Sequence, residues 1–331
     1  MKNKGLRMSL LVIIFLVIGS LVMEKRNPQD KLVSQKRIKV GILQFVSHQA
    51  LDDIERGIED ELVKGRRDKT IDITLFNAQG DQSKLQTMSQ QLVASKNNIL
   101  IGIATPAAQA LASATKDIPV MMSAVSDPKG ARLVKNLLRP EANISGLSNK
   151  VPVTQTLDMI EELTPNVKTI GILYASGEDN SVSQVKDFKS HAEKRGFKII
   201  SYSVPSTNEV SSTMTIMSQK VDAIFLPQDN TIASAFSTVL NLSKENKLPL
   251  YVSVDTMVKE GGLASIAQSQ YQLGVETAKQ VKKIIRGEKI SQVPVKIIDS
   301  GKPIINQKRA EELGITIPER LRSQSDIIKG H

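Results

Sequence analysis

The chain has 331 residues, 40% hydrophobic and 24% charged; that composition excludes a disordered polymer, and the length suffices for two separate cores. It has no Cys, which excludes disulfides, thiolate metal sites, cysteine nucleophiles and amino-terminal lipidation on cysteine. Half of the net charge of +10 sits in residues 1–36, which carry seven Lys/Arg against two acids; the rest is spread among many acids with no basic stripe or interleaved aromatics, which argues against a nucleic-acid partner.

Lys2, Lys4 and Arg7 precede an uncharged apolar run, Met8 to Met23, and Glu24, Lys25 and Arg26 follow it. This reads as the charged and apolar regions of an export signal. Its 16 residues would span about 24 Å as a helix, slightly short of a bilayer core. No Ala precedes Ala50, so an A-x-A cleavage site is missing, and an uncleaved signal anchor and a cleaved signal both fit. More positive charge before the run than after it puts residue 24 onward outside the membrane. Residues 1–36 are therefore assigned as signal or anchor plus tether.

From Ile38 strands and helices alternate, which predicts mostly parallel sheets with helices on both faces. Strand 38–46 leads to helix 49–64, strand 71–76, helix 81–95, strand 99–104, helix 106–115 and strand 119–125. A short helix is expected after Asp127-Pro128, and NISGLS (Asn143–Ser148) reads as a first crossing between lobes. Helix 153–163, strand 169–174, helix 181–195, strand 198–204, helix 210–219, strand 221–226, helix 231–246 and strand 248–254 repeat the scheme. GGLASIA (Gly261–Ala267) reads as the return crossing, before helix 271–286, an extended piece 295–306 and helix 307–313. Gly41 and Gly171 occupy matching places in the two opening strands. The predicted fold class is thus α/β, two doubly wound parallel-sheet lobes with a cleft between them. Lobe 1 is taken as 37–145 plus 266–290, and lobe 2 as 146–265 plus 291–325.

No Walker loop, no G-x-G-x-x-G after either opening strand, no G-x-S-x-G and no H-E-x-x-H occurs, and there are three His. Neither a catalytic residue, a metal nor a cofactor is called for. Polar residues instead recur at strand carboxyl ends: Gln44, His48, Thr105, Ser126, Asp127, Ser148, Asn180, Ser181, Asp229, Asn230 and Asp255. Open α/β sheets bind ligands there, beside helix N-termini whose unpaired N–H groups attract a carboxylate. An Asp at a neighbouring strand end would hold an ammonium. Opposite charges so close describe an amino-acid zwitterion. Phe45, Phe76, Tyr174 and Tyr251 are candidate apolar partners for its side chain. Each residue also has a plainer reading, since Thr105, Asn180 and Asp229 are good helix N-caps and Phe76 and Tyr251 suit a core.

Taken in order, QFVSHQALD, GIATPAAQALA, SAVSDP, NISGLS, Glu178-x-Asn180-Ser181, PQDNT and GGLAS resemble the ABC-transporter substrate-binding family that includes tryptophan-binding proteins. The similarity spans about Arg37 to Pro318. It implies a type I periplasmic-binding-protein fold and a small ligand in the cleft, an aromatic amino acid and first of all L-tryptophan. It also implies delivery of that ligand to a membrane permease with its ATPase, and we expect a monomeric receptor rather than an enzyme. The family's cleft residues correspond to His48, Thr105, Asp127, Asn180, Ser181 and Asp229. Many members are lipoproteins, so the missing cysteine leaves the apolar segment as anchor, or a released protein. A sensor ectodomain and a sugar or nucleoside receptor on the same fold remain alternatives.

Overall fold

The computed structural model of the chain describes residues 13, 32–33, 35–64 and 70–329. The expected signal or anchor lies almost wholly outside the described residues. Among those described, no helix is long and apolar enough to cross a membrane.

In chain order the strands are β1 (Arg37–Gln44), β2 (Thr70–Asn77), β3 (Ile99–Ile103), β4 (Val120–Val125), β5 (Ile144–Asn149), β6 (Thr169–Ala175), β7 (Lys198–Val204), β8 (Ala223–Leu226), β9 (Leu250–Val252), β10 (Ala264–Ala267), β11 (Lys296–Ile298), β12 (Lys302–Asn306) and β13 (Asp326–Ile328). They form two sheets, ordered β2-β1-β3-β4-β5-β11 and β7-β6-β8-β9-β10-β12-β13. Every pairing is parallel except β10 with β12. The helices are α1 (Gln49–Val63), α2 (Gln82–Ala94), α3 (Thr105–Ala114), α4 (Val153–Leu163), α5 (Asp179–Lys194), α6 (Val210–Ser218), α7 (Asn230–Ser234), α8 (Phe236–Glu245), α9 (Asp255–Glu260), α10 (Gln270–Ile285), α11 (Gln307–Glu312) and α12 (Glu319–Gln324).

Parallel strands buried on both faces read as continuous apolar runs, and β3 is buried at every residue. Helices cover each sheet through one apolar stripe: Leu51, Ile54, Ile58 and Leu62 of α1 join β1 and β3 in one lobe-1 core, and Leu157 and Ile160 of α4 join β6 in a lobe-2 core.

The sheets divide the chain differently from the expected boundaries. NISGLS belongs to β5, inside the first sheet, and GGLASIA runs into β10, inside the second. The polar look of β5 misleads because its hydroxyls are satisfied internally: Ser145 Oγ donates to Val293 O at 2.6 Å and Ser148 Oγ to Ser126 O at 3.3 Å. The extended piece 295–306 splits, β11 joining the first sheet and β12 the second. The chain therefore changes lobes three times, after Asn149, after Ala267 and after Ile298, not at 145/146, 265/266 and 290/291.

Three local expectations also change. No helix follows Asp127-Pro128: Gly130 N donates to Asp127 Oδ1, Leu133 N to Pro128 O, and Arg132 turns to φ +57, so the segment closes as turns. The expected helix 231–246 is two helices, broken at Ala235 (φ −107, ψ 17). The expected strand 248–254 is shorter, with β9 covering Leu250–Val252, and α9 begins just past it at Asp255.

Helix α10 returns from lobe 2 to lie against α1. Their backbones nearly touch, since a Cβ on Gly57 would stand 2.1 Å from Tyr271 O and one on Gly274 2.0 Å from Ile54 O. Only glycines allow this approach, and it sets where the first turns of α1 meet lobe 2. Ala50 of α1 already counts among the lobe-2 apolar residues around Val254 and Met257.

Candidate functional site

Between the carboxyl edges of the two sheets lies a cavity lined by both lobes. Lobe 1 contributes His48, Ala50, Leu51 and Ile54 from the start of α1, Ala104 and Thr105 from the start of α3, and Ala124 and Ser126 from the end of β4. Lobe 2 contributes Asn180 of α5, residues 227–230 at the end of β8, Ala233, Val254 and Met257. Asn149 and Gln270, beside two of the lobe crossings, complete the lining.

Two backbone positions shape the lobe-1 wall. Ala104 sits at φ +70, ψ 166, a region almost reserved for glycine, and Ala124 at φ +56. Such conformations cost about 1–3 kcal/mol each and persist where surrounding structure enforces them. At Ala124 the β4–β5 register shifts, a bulge that re-aims the following Ser126. Helix α3 opens directly into the cavity, with the unpaired N–H groups of a helix start behind Thr105.

The lobe-2 wall is acidic. Glu178 is buried and accepts from Asn230 N at 3.2 Å, Thr231 N at 2.8 Å and Thr231 Oγ1 at 2.8 Å, besides the Asn230 side-chain amide. Asp229 is equally buried and accepts from Ala175 N at 2.6 Å and Ile232 N at 2.8 Å. Desolvation above all, then the charge of Glu178, pushes the Asp229 carboxyl up to about 7. Asn180 donates its amide to Gln228 O at 2.8 Å, which orients it, and its buried Oδ1 has no partner among the described residues. An acceptor left unpaired in a cavity wall is unusual and costly, and it fits an ammonium or other donor guest.

His48 is half-buried, its open area turned to the cavity, and its Nε2 lies 3.5 Å from Asn230 Oδ1 across the cleft. Burial lowers its pKa, against the opposing pull of Asn230, Asp52 and Glu178, which favours the neutral ring. Three further bonds cross between lobes: Gln109 Nε2 to Asp179 Oδ2 at 3.0 Å, Ser183 Oγ to Asp127 Oδ2 at 2.9 Å and Gln184 Nε2 to Ser126 Oγ at 3.1 Å. The lobes stand closed.

Of the residues singled out from sequence, His48, Thr105, Ser126, Asn180, Asp229 and Asn230 meet at this cavity, and the others do not. Gln44 donates to Asp52 Oδ1 at 2.7 Å, and Ser148 is held by Ser126 O. Asp127 faces the rim through Ser183, and Ser181 is buried beside the cavity, its hydroxyl taking the Asn180 amide at 3.3 Å. Asp255 pairs with Lys259 at 2.6 Å and receives Gln270 N at 3.4 Å, so it holds the start of α10. Phe45 and Phe76 pack into a lobe-1 core and Tyr174 and Tyr251 into a lobe-2 core, so none can stack on a guest in the cavity. A strand's last residues alternate sides, and these rings turn toward the covering helices instead of the edge. The apolar wall is aliphatic: Leu51, Ile54, Val254 and Met257. Sequence reasoning missed that wall, Gln228 and Glu178; of these only Glu178, in the Glu178-x-Asn180-Ser181 motif, carried a signal.

Two α/β lobes joined by three crossings and closed over a cavity define a ligand-binding protein of the type I periplasmic-binding-protein fold. Residues 39–329 match the model of the ABC transporter substrate binding protein family. The tyrosine-binding protein of Clostridioides difficile is 34% identical over 87% of this chain and 84% of its own. A Streptococcus pneumoniae ABC domain solved in complex with L-Trp is 51% identical, covering 88% of this chain and all of that one, with TM-score 0.86. A ligand-free, open substrate-binding protein from Clostridium difficile is 35% identical, covering 89% and 100%, with TM-score 0.67. The chain belongs to the ABC transporter substrate-binding protein family, and as such is an extracytoplasmic receptor for a small molecule.

Proposed function

We propose that the chain captures an aromatic amino acid, L-tryptophan first and L-tyrosine second, and passes it unchanged to the permease of an ABC importer driven by its ATPase. The observation that carries this reading is the polarity of the cavity, acidic at one end and aliphatic along the rest. The ligand carboxylate would meet the start of α3 at Thr105, where helix N–H groups and dipole favour an anion. The ammonium would meet Asn180 Oδ1 and Asp229, and the ring would lie along Leu51, Ile54, Val254 and Met257, with His48 and Asn230 closing over it. The L-Trp complex and the tyrosine-binding relative support this ligand class.

The chain would act without catalysis and as a monomer, tethered by its N-terminal apolar segment or released. Calorimetry with the twenty amino acids tests the reading. Binding should be strongest for tryptophan or tyrosine; heat from no aromatic amino acid would end it.

A further inference from the structure

Gln184 belongs to α5 but does not line the cavity; it lies behind it, 8% exposed. Its amide grips the backbone of Gln228, with Oε1 accepting Gln228 N at 2.9 Å and Nε2 near Gln228 O at 3.5 Å. The same Nε2 donates across the cleft to Ser126 Oγ at 3.1 Å. Gln228 O in turn receives the Asn180 amide at 2.8 Å, whose far side is the unpartnered Oδ1. A continuous row of hydrogen bonds thus runs from lobe 1 through Ser126, Gln184, Gln228 and Asn180 to an empty acceptor in the cavity. The amide cannot flip, because Gln228 N needs an oxygen opposite it.

We infer that Gln184 is a positioning residue that ties lobe closure to recognition of the ligand's ammonium. The inference rests on the function proposed above. The Gln228 carbonyl makes the shortest of the three bonds on the Asn180 amide nitrogen, 2.8 Å against 3.3 Å to Ser181 Oγ and 3.4 Å to Glu178 Oε2, so Gln184, by holding Gln228, sets where Oδ1 aims. Closure brings Ser126 onto Gln184, and that bond polarises an amide already engaged with Gln228; buried rows of this kind strengthen cooperatively. Gln109–Asp179 and Ser183–Asp127 also join the lobes, but through side chains with no such path to Asn180. They serve as built-in controls.

The test compares L-tryptophan with indole-3-propionate, the same molecule without its ammonium, on wild type, Gln184→Met and Ser183→Ala by titration calorimetry. Small-angle scattering of the saturated proteins reads closure. Methionine keeps the volume, and the melting temperature of the free protein reports its folding. Gln184→Met should weaken L-tryptophan about tenfold while barely changing the deaminated analogue, so that discrimination between them collapses. Ser183→Ala should weaken both by the same factor and keep discrimination. Ser126→Ala, which cuts the relay from the other lobe without touching lobe-2 packing, should leave the saturated protein more open. Equal losses for both ligands in Gln184→Met, or none, would overturn the inference. Wild type binding neither ligand would instead count against the proposed function itself.

Discussion

Glu178 and Asp229 hold one turn of chain between them: Glu178 accepts the N–H groups of Asn230 and Thr231, and Asp229 that of Ile232. The start of α7 is therefore filled by the protein's own carboxylates and has no vacancy for a ligand carboxylate. Asp229 in the cavity wall and Glu178 behind it are two buried acids with no ion pair among the described residues, which makes this side receptive to a positive group.

Asp229 should make ligand binding depend on pH. Its carboxyl ordinarily titrates at 3.8 and here at about 7, so the unfolded chain ionises first. Its contribution to stability is full below 3.8 and is lost as the pH rises toward 7. An ammonium favours the ionised form, so affinity should rise from pH 5 to about 7, by at most about tenfold per unit, and then level. Asp229→Asn should weaken binding and flatten that profile. Calorimetry in buffers of different ionisation enthalpy would read the released proton below pH 7; no release would contradict the assignment.

Glu178→Gln should destabilise more than a surface change. One of its oxygens becomes an NH₂ facing backbone donors, and each orphaned donor costs about 1–3 kcal/mol. Thermal unfolding should show the loss. Removing the neighbouring charge should also lower the Asp229 midpoint, moving the rise in affinity to lower pH.

Ala104→Gly should raise the melting temperature. Glycine tolerates φ +70, ψ 166, where alanine is strained. Relief of about 1–3 kcal/mol, less about 1 kcal/mol for the freer unfolded chain, predicts a gain of a few degrees. A fall in melting temperature would show that the alanine methyl contributes more by packing than its conformation costs.

Gly274→Ala should do the reverse. Its Cβ would stand 2.0 Å from the Ile54 carbonyl, backbone against backbone, so α1 and α10 must separate. Overpacking of this kind costs about 1–3 kcal/mol or more, and affinity should fall too because Leu51 and Ile54 line the cavity. Gly177→Ala, with nothing within 4 Å of its new methyl, is the control and should stay near neutral.

Alternating apolar runs and helix-period stripes were enough to read two α/β lobes, and strands such as Lys198–Val204 and helices such as Val153–Leu163 fall where the pattern puts them. The lobe changes were not legible. Ser145 and Ser148 look like a polar connection until Val293 O and Ser126 O satisfy them in β5, and both partners are distant or set by the fold.

The sequence by itself determined the layered architecture, the carboxyl edge of each sheet and polar residues such as Asn180 and Asp229 on it, because hydrophobic period and strand-end chemistry are local. Only the tertiary structure decided which of those residues face one cavity. It turned Phe45 and Tyr174 into the cores, spent Asp255 on Lys259, and brought Gln184 to Ser126. Side-chain direction and the partner each polar atom finds depend on how two distant stretches pack, and no single stretch carries that information.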